Sequence, residues 1–368
     1  MKITDVRATL VAIPYIDVLR EERPEGYQTV IVEVEANDGL VGIGECGMGW
    51  IEPQIMLQMI AGYKTVVCNE DPFDIERIWG KLWSNSPHHQ RYWPINRVIS
   101  GIETAIWDLM AKACNKPLYK LIGGAVRDKV AFMPTLHRYP DIDRIVDEAR
   151  DRVDQGFQCF QIKVGAASDN PDEDLAVVHA LRDSLGPEIE LVIDANSGWT
   201  PDTAIRMIRK MAEYDLFYVE DPVNNLDDMT AIRKRVQVPI CAHIFGAGPT
   251  QSTLDVIKKE AADVVVIAHR NMGVQGVKKG ATIAEAADIP AILHSGIELG
   301  PALAIMVHLA ASTPNCKYPN QLQYDLLTDD IIKGGRMEFI DGCLPVLEKP
   351  GIGVELDPEK MMEYTLKT

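Results

Sequence analysis

The stretch ELVIDANS, Glu190 to Ser197, sends an apolar run, Leu191-Val192-Ile193, straight into Asp194 and then into the short step Ala195-Asn196-Ser197. Parallel strands covered on both faces read as continuous apolar runs, so this is a buried strand whose C-terminal end opens on something polar. A carboxylate at that end is costly to bury unless it meets a cation or a hydrogen-bond donor. The design recurs. Phe217-Tyr218-Val219 stops at Glu220 and Asp221, and Phe160-Gln161-Ile162-Lys163-Val164 carries a lysine within a strand-like run. A lysine and two acids, each on its own short strand, are the constellation to explain.

Outward from these three strands the chain alternates. Strands are expected at 130–134, 159–164, 191–194, 217–220, 238–243, 264–268, 291–294 and near 321–324, and helices fill the intervals between them. About eight strand–helix units at a spacing of about 25 residues predict a (β/α)8 barrel, an α/β fold. The final helix of that pattern is weak or missing.

Residues 1–127 have a different rhythm. A strand over 2–14 precedes a hairpin, 28–35 and 41–44, which turns at Ala36-Asn37-Asp38-Gly39. Helical spacing follows over 53–67, 74–82, 96–112 and 117–121. Strands followed by helices predict an α+β capping domain. The loop 15–27 is long enough to serve as a lid. The Gly- and Pro-rich tail, 326–368, is expected to return to the cap and complete it, leaving 128–325 as the barrel domain.

Composition narrows the function classes. The chain is 46% hydrophobic and 25% charged with a net charge of −17, which argues against nucleic acid or an anionic membrane as partner. Seven scattered cysteines without a C-x-x-C pair suggest reduced thiols and a cytoplasmic protein. The opening MKITDVRATLVAIPY breaks its apolar run at Asp5 and Arg7, unlike a secretory signal. Gly42, Gly44 and Gly47 match G-x-G-x-x-G, but the preceding strand belongs to a hairpin and Glu45 would face a phosphate, so no dinucleotide site is expected. Lys278-Lys279 and Arg233-Lys234-Arg235 read as solvated helix faces, and His88-His89-Gln90-Arg91 as an irregular surface stretch or a pocket border.

Active sites of such barrels lie at the C-terminal ends of the strands. Lys163, Asp194, Glu220 and His294 fall there, on the second, third, fourth and seventh strands. Two carboxylates on neighbouring strands suit a hard divalent cation such as Mg2+. A lysine beside that cation, kept partly neutral by burial and like charge, suits proton abstraction next to a carboxylate. The competing reading is a structural ion network inside the barrel.

Longer stretches then carry a resemblance. They are GIGECGMG (42–49), SGIETAIWDLMAKACNKPLYKLIGG (100–124), QIKVG (161–165), VIDANSGWT (192–200), YVEDPV (218–223), AEAADIPAILHS (284–295), ELGPALAIMVHLAAS (298–312) and PGIGVELD (350–357). Along nearly its whole length the chain resembles the enolase superfamily, in its mandelate racemase and muconate lactonizing enzyme branch. The resemblance implies a modified TIM barrel with a cap whose lid, 15–27 plus 47–50, closes over a small carboxylate substrate. It implies Lys163 as base, matching the second lysine of the family's K-x-K motif, and Asp194 and Glu220 as the first two ligands of a divalent metal, Mg2+ foremost. Asn196 matches the residue two beyond the first ligand. His294 falls on or beside the catalytic histidine of the racemase and dehydratase subgroups, and Glu298 resembles a strand-end glutamate of the lactonizing subgroup. A homo-oligomer is also expected.

Three departures stand out. Gln161 replaces the first lysine of K-x-K, removing a cation that would lower the pKa of Lys163. The third metal ligand should follow 238–240, where CAHIFGAGPT offers His243 and Ile244. His243 is either that ligand, which Mn2+, Fe2+ or Zn2+ accept more readily than Mg2+, or a pocket residue with water completing the shell. The opposite-face base is missing, since Ile267 or Ala268 stands in its place. His294 is either a general acid or base or a satisfied barrel-end histidine, with no aspartate behind it. His269 and Arg270 either bind a substrate carboxylate, the arginine through a bidentate pair, or face solvent.

The expected function is metal-dependent abstraction of the proton α to a carboxylate, leading to dehydration of a hydroxy or sugar acid. Racemisation, epimerisation or cycloisomerisation is the alternative, and a barrel that binds acids without turning them over is the reading from another class.

Overall fold

Alternation along the strands builds the barrel and decides what its mouth presents. A computed structural model describes residues 1–47, 53–85, 93–167, 170–244 and 249–366. The N-terminal part comprises β1 (Ile3–Ile13), α1 (Asp17–Arg20), β2 (Tyr27–Ala36), β3 (Val41–Glu45), α2 (Pro53–Val67), α3 (Ile75–Ser84), α4 (Trp93–Ala113) and α5 (Leu118–Leu121). Its three strands form one antiparallel sheet in the order β1-β2-β3. The sheet packs on the helices through a core that includes Val30, Val32, Ile60, Ile78, Ile102 and Leu109. The loop expected over 15–27 contains the short α1, and Tyr15 and Tyr27 at its ends are buried.

The second part runs β4 (Lys129–Leu136), α6 (Ile142–Asp154), β5 (Cys159–Lys163), α7 (Pro171–Leu185), β6 (Glu190–Asp194), α8 (Pro201–Met211), β7 (Leu216–Glu220), α9 (Leu226–Arg233), β8 (Ile240–Ile244) and α10 (Pro249–Lys259). It continues with β9 (Val264–Ile267), α11 (His269–Glu285), β10 (Ala291–Leu293), α12 (Gly300–Ala311), β11 (Asn320–Leu322), β12 (Cys343–Pro345) and α13 (Pro358–Tyr364). Strands β4 to β11 pair in parallel in the order β10-β9-β8-β7-β6-β5-β4-β11, and β12 adds to β4 antiparallel. Four of the turns from strand to helix are fixed by side-chain caps. Asp141, Asn170, Thr200 and Asn225 cap α6, α7, α8 and α9 with their side chains, and Pro171 and Pro201 open α7 and α8.

No backbone ladder joins β10 to β11 among the described residues. Two side-chain amides close the seam instead: Asn320 Oδ1 accepts from Leu293 N at 2.9 Å, and Gln321 Oε1 from Ser295 N at 3.3 Å. No helix follows β11 as its seven predecessors are followed. A turn over Tyr324–Leu326 leads into the tail, where Tyr15 bridges Leu327, Val11 bridges Thr365 and Pro117 bridges Gly351. The tail therefore returns to the N-terminal sheet.

Successive strand residues point to opposite faces, so every second residue lines the barrel interior. Low in the barrel these are Met133, Cys159, Val192, Tyr218, Cys241, Val264 and Ile292, a packed apolar plug. Two residues further along the same faces come Thr135, Gln161, Asp194, Glu220, His243 and His294, and beyond Gln161 comes Lys163. The interior thus changes from apolar to polar at the C-terminal mouth.

Candidate active site

Register puts the three charged residues in one row. Lys163 pairs with Asp194 and Asp194 with Glu220, each on the neighbouring parallel strand. Lys163 Nζ lies 2.5 Å from Asp194 Oδ2. The same carboxylate accepts from Asn196, whose backbone N reaches Oδ1 at 2.8 Å and whose Nδ2 reaches Oδ2 at 2.9 Å. Asn196 achieves this in a left-handed conformation, φ 44°, which asparagine tolerates because its short polar side chain bonds locally. Glu220 is held by two amides from opposite sides, Gln161 Nε2 at 2.9 Å and Gln321 Nε2 at 2.6 Å, both on Oε2. Thr135 in turn donates to Gln161 Oε1 at 2.9 Å.

The charges do not balance. Asp194, Glu220 and Asp221 are all buried, and Lys163 is the lysine beside them. Burial, and then Asp194, push Glu220 well above the ordinary carboxylate range, and the same two causes raise Asp221 to about 7. Burial pulls Lys163 down, but Asp194, Glu220, the short bond to Asp194 and Asp221 together outweigh it, and the amine ends above its ordinary value. The expectation of a partly neutral lysine concerns Lys163 beside a bound divalent cation, whose charge would oppose that of the carboxylates. With Gln161 supplying no positive charge, the carboxylates decide.

Asp221 is the site residue that sequence reasoning passed over. Strand alternation would turn it away from Glu220, but its backbone is left-handed, φ 40°. Its Oδ1 accepts from His243 N at 2.9 Å. Glu220, Asp221 and His243 each offer a ligand atom, and these atoms all lie within 4.8 Å of one another. His243 is pushed down to about 3, first by burial and then by Lys163, Arg270 and Arg97, so its imidazole is neutral, as a metal ligand must be. Of the two positions that the sequence left open, His243 rather than Ile244 meets the carboxylates.

His294 follows β10 and lies against His243 with the rings tilted by 31° and their centroids 4.2 Å apart. Burial first, then His243, Arg270, Lys163 and Arg97, hold it well below the ordinary histidine value. Behind it stands an arginine. Arg270 Nη2 is 3.4 Å from His294 Nδ1, while Nη1 donates to Gly296 O at 2.9 Å and to Ile297 O at 3.0 Å. Glu298 Oε1 lies 3.6 Å from Arg270 Nε and accepts from Gly296 N, and its Oε2 accepts from Ser295 Oγ at 2.5 Å. His269 and Arg270 are each 1% exposed, which removes the solvent-facing alternative for both. Glu298 and Arg270 form a buried brace beneath His294.

In the other basic clusters Lys234, Arg235 and Lys279 are exposed, as expected of helix faces, while the first residue of each cluster is half-buried. Arg233 donates twice to Asp263, and Lys278 reaches Ser312 O and Thr313 Oγ1. Two further buried groups border the mouth from the N-terminal side. Glu45 accepts from Leu299 N at 3.0 Å and from Tyr27 and Thr29, and Arg97 is pushed down to about 9, first by burial and then by Arg270. The lid residues 48–50, the stretch 88–91 and residues 245–248 after β8 lie outside the described residues. Among the described residues, no helix is long and apolar enough to cross a membrane.

The chain matches two family descriptions, "Mandelate racemase / muconate lactonizing enzyme, N-terminal domain" over residues 23–123 and "Enolase C-terminal domain-like" over 144–360. It is 28% identical over 346 residues to an arabinonate dehydratase of Saccharolobus solfataricus, covering 93% of this chain and 91% of that protein. To a hydrophobic dipeptide epimerase of Enterococcus faecalis it is 30% identical over 304 residues, 79% of this chain and 81% of the relative. An enolase from Pseudomonas fluorescens Pf0-1, solved with bound magnesium, potassium and tartrate, superposes with a TM-score of 0.85 at 25% identity, over 99% of this chain and 92% of the other. Dehydratases, racemases, epimerases and cycloisomerases all occur among such relatives. With both halves matched, and with the lysine and acids at the barrel mouth, the chain belongs to the mandelate racemase and muconate lactonizing enzyme branch of the enolase superfamily, a superfamily of enzymes.

Proposed function

We propose that this protein dehydrates a hydroxy or sugar acid by removing the proton α to its carboxylate. The observation that carries the reading is the row Lys163–Asp194–Glu220 on adjacent strand ends, with His294 facing the same mouth. Lys163 takes the α-proton on Nζ, and His294 serves the departing hydroxyl. Asn196 and Gln161 orient the two carboxylates, while Arg270, Glu298 and His269 shape the wall beneath His294.

A divalent metal suits the site, because three carboxylates are buried there with one lysine among them, and Asp194 raises the proton affinity of both Glu220 and Asp221. Asp194 and Glu220 would hold it, with His243 and Asp221 as the remaining donors. When bound, the ion supplies Lewis-acid stabilisation of the enediolate. The mixed oxygen and nitrogen set admits Mn2+, Fe2+ or Zn2+ beside Mg2+. Seven cysteines without a disulfide suit a reducing, cytoplasmic setting.

The test is incubation of the Mg2+- or Mn2+-loaded protein with a panel of sugar acids in D2O. Loss of water to give an α-keto acid, abolished in Lys163→Ala, is the expected result. Exchange at the α-carbon with inversion and without loss of water would move the assignment to epimerisation, the activity named for the Enterococcus relative. Binding of acids with neither exchange nor product would support the silent acid-binding barrel.

A further inference from the structure

We propose that Arg270 is a positioning residue that fixes His294 as the neutral tautomer protonated on Nε2, so that His294 serves the substrate as a hydrogen-bond donor and not as a base. Arginine carries five N–H donors and no acceptor, and it keeps its charge at any pH that a protein survives. Its contact with His294 Nδ1 therefore has a single polarity: Nδ1 must accept. At 3.4 Å the bond is long. The alternative, however, sets a ring N–H against a guanidinium N–H of an arginine that is 1% exposed.

The guanidinium cannot turn away to relieve such a clash. Nη1 is held by two backbone carbonyls, those of Gly296 and Ile297, and Nε faces Glu298. Glu298 is itself fixed by Ser295 and Gly296. Gly296 is shaped for this arrangement. A β-carbon there would lie 2.1 Å from Arg270 Nη2 and 3.2 Å from His294 Cε1, so a side chain at that position would displace the pair. Arg270 is also 1% exposed, with no open solvent to swing into.

The consequence rests on the dehydration reading and makes it more specific. A neutral imidazole can polarise a leaving oxygen through Nε2–H but does not readily surrender that proton. Proton transfer then falls to Lys163 alone. Its neutral Nζ takes the α-proton as the C–H pair becomes the enediolate. As the β-carbon–oxygen bond breaks and its electron pair leaves with oxygen, the same ammonium returns a proton to that oxygen. Water departs and Lys163 is neutral again. One base on one face gives syn loss of water, and exchange in D2O without inversion.

Nuclear magnetic resonance of the Mg2+-loaded protein, with histidine rings labelled in 15N and His294 assigned through His294→Gln, reads the tautomer directly. The expected pattern has His294 protonated on Nε2 and bare on Nδ1. Protonation on Nδ1, or on both nitrogens, overturns the proposal. In Arg270→Lys, which keeps a donor, the pattern should persist. In Arg270→Met the single-tautomer pattern should be lost, and its full retention there would remove Arg270 as the cause. If Arg270→Met does not fold, the wild-type pattern decides alone. The tautomer is measured without substrate, so its outcome stands apart from the dehydration assay.

Discussion

Glu103 of α4 caps a barrel helix in the other half of the molecule: its Oε2 accepts from Val274 N at 2.8 Å and its Oε1 from Gln275 N at 3.1 Å. Helix α11 breaks at Gly273, φ 64°, and a β-carbon there would meet Glu103 Oε2 at 2.4 Å, so the glycine makes room for the carboxylate. Trp107 Nε1 donates to the same group at 2.7 Å. Glu103→Ala would leave two buried N–H groups at a helix start without acceptors. The expected loss is about 2–4 kcal/mol by urea denaturation, with Glu103→Gln losing less. A loss in Glu103→Ala below about 0.5 kcal/mol, within the range of an ordinary surface change, would mean that the contact contributes nothing.

The same residue gives stability a pH dependence of known sign. Burial, opposed by the bonds from Val274, Gln275 and Trp107, raises Glu103 from 4.5 to about 7. The folded state therefore binds this proton more tightly than the unfolded chain does. Its contribution is fully present below about 4.5 and is lost as pH rises through about 7. Comparing wild type with Glu103→Gln at about pH 5 and about pH 8, the wild type should lose stability relative to the variant at the higher pH. Glu45, also raised to about 7 by burial and by Glu298, should behave alike in Glu45→Gln. A difference independent of pH in both variants would contradict the assignment.

Strand periodicity made most of this architecture legible. Apolar runs that stop at Lys163, Asp194 and Glu220 mark strand ends, and residues of one register row must be neighbours. Asp221 was hidden because alternation assigns it to the opposite face, and only its left-handed backbone brings it back. Gln321 was hidden because a three-residue strand has no period to read, and its role is to bond across the barrel. The partnership of Arg270 with His294 escaped for another reason. Arg270 sits in the first turn of a helix, 24 positions from its partner, and no pattern in the chain relates them. Glu103 lay in plain view within an apolar helix, but spacing reveals a buried acid without revealing what it caps.

Gln321 should be felt at the metal. It is one of two amides on Glu220 Oε2, and it also accepts from Ser295 N at the barrel seam. Residues that orient a metal's ligands typically influence its affinity by about 10–100-fold. Gln321→Leu should weaken Mn2+ binding, measured by calorimetric titration, by a factor in that range. Asn320→Leu, which removes the seam bond to Leu293 N and the donation to Ala131 O but no bond to Glu220, should leave Mn2+ affinity within a few-fold of wild type. Equal weakening in both variants would assign the effect to the seam and not to Glu220.

Metal content tests the ligand set itself. Asp194→Asn, Asp221→Asn and His243→Ala remove, in turn, the acid bonded to Lys163, the acid turned by its backbone and the neutral imidazole. Each should lower bound divalent metal after dialysis against a fixed Mn2+ concentration, since each removes a donor from the proposed ligand set. Because His243 already lies at about 3, its contribution should be the same at about pH 6 and about pH 8. Metal content unchanged in all three variants would sink the proposed site, and an effect of His243→Ala confined to the higher pH would contradict its neutrality.

Gln161→Lys restores the lysine that the family pattern expects and so tests what its absence does. Gln161 donates to Glu220 and accepts from Thr135. A lysine would keep the donation, lose the bond from Thr135 and place a positive charge two residues from Lys163 on the same strand face. Lys163 must be neutral to accept a proton, and a nearby cation disfavours its charged form. The acid limb of kcat/KM for α-proton removal should therefore move to lower pH, by about one unit or more. The pH profile of exchange in D2O, run on whichever acid the wild type turns over, measures that limb. A limb that stays in place or moves upward would show that Lys163 is governed by Asp194 and Glu220 alone.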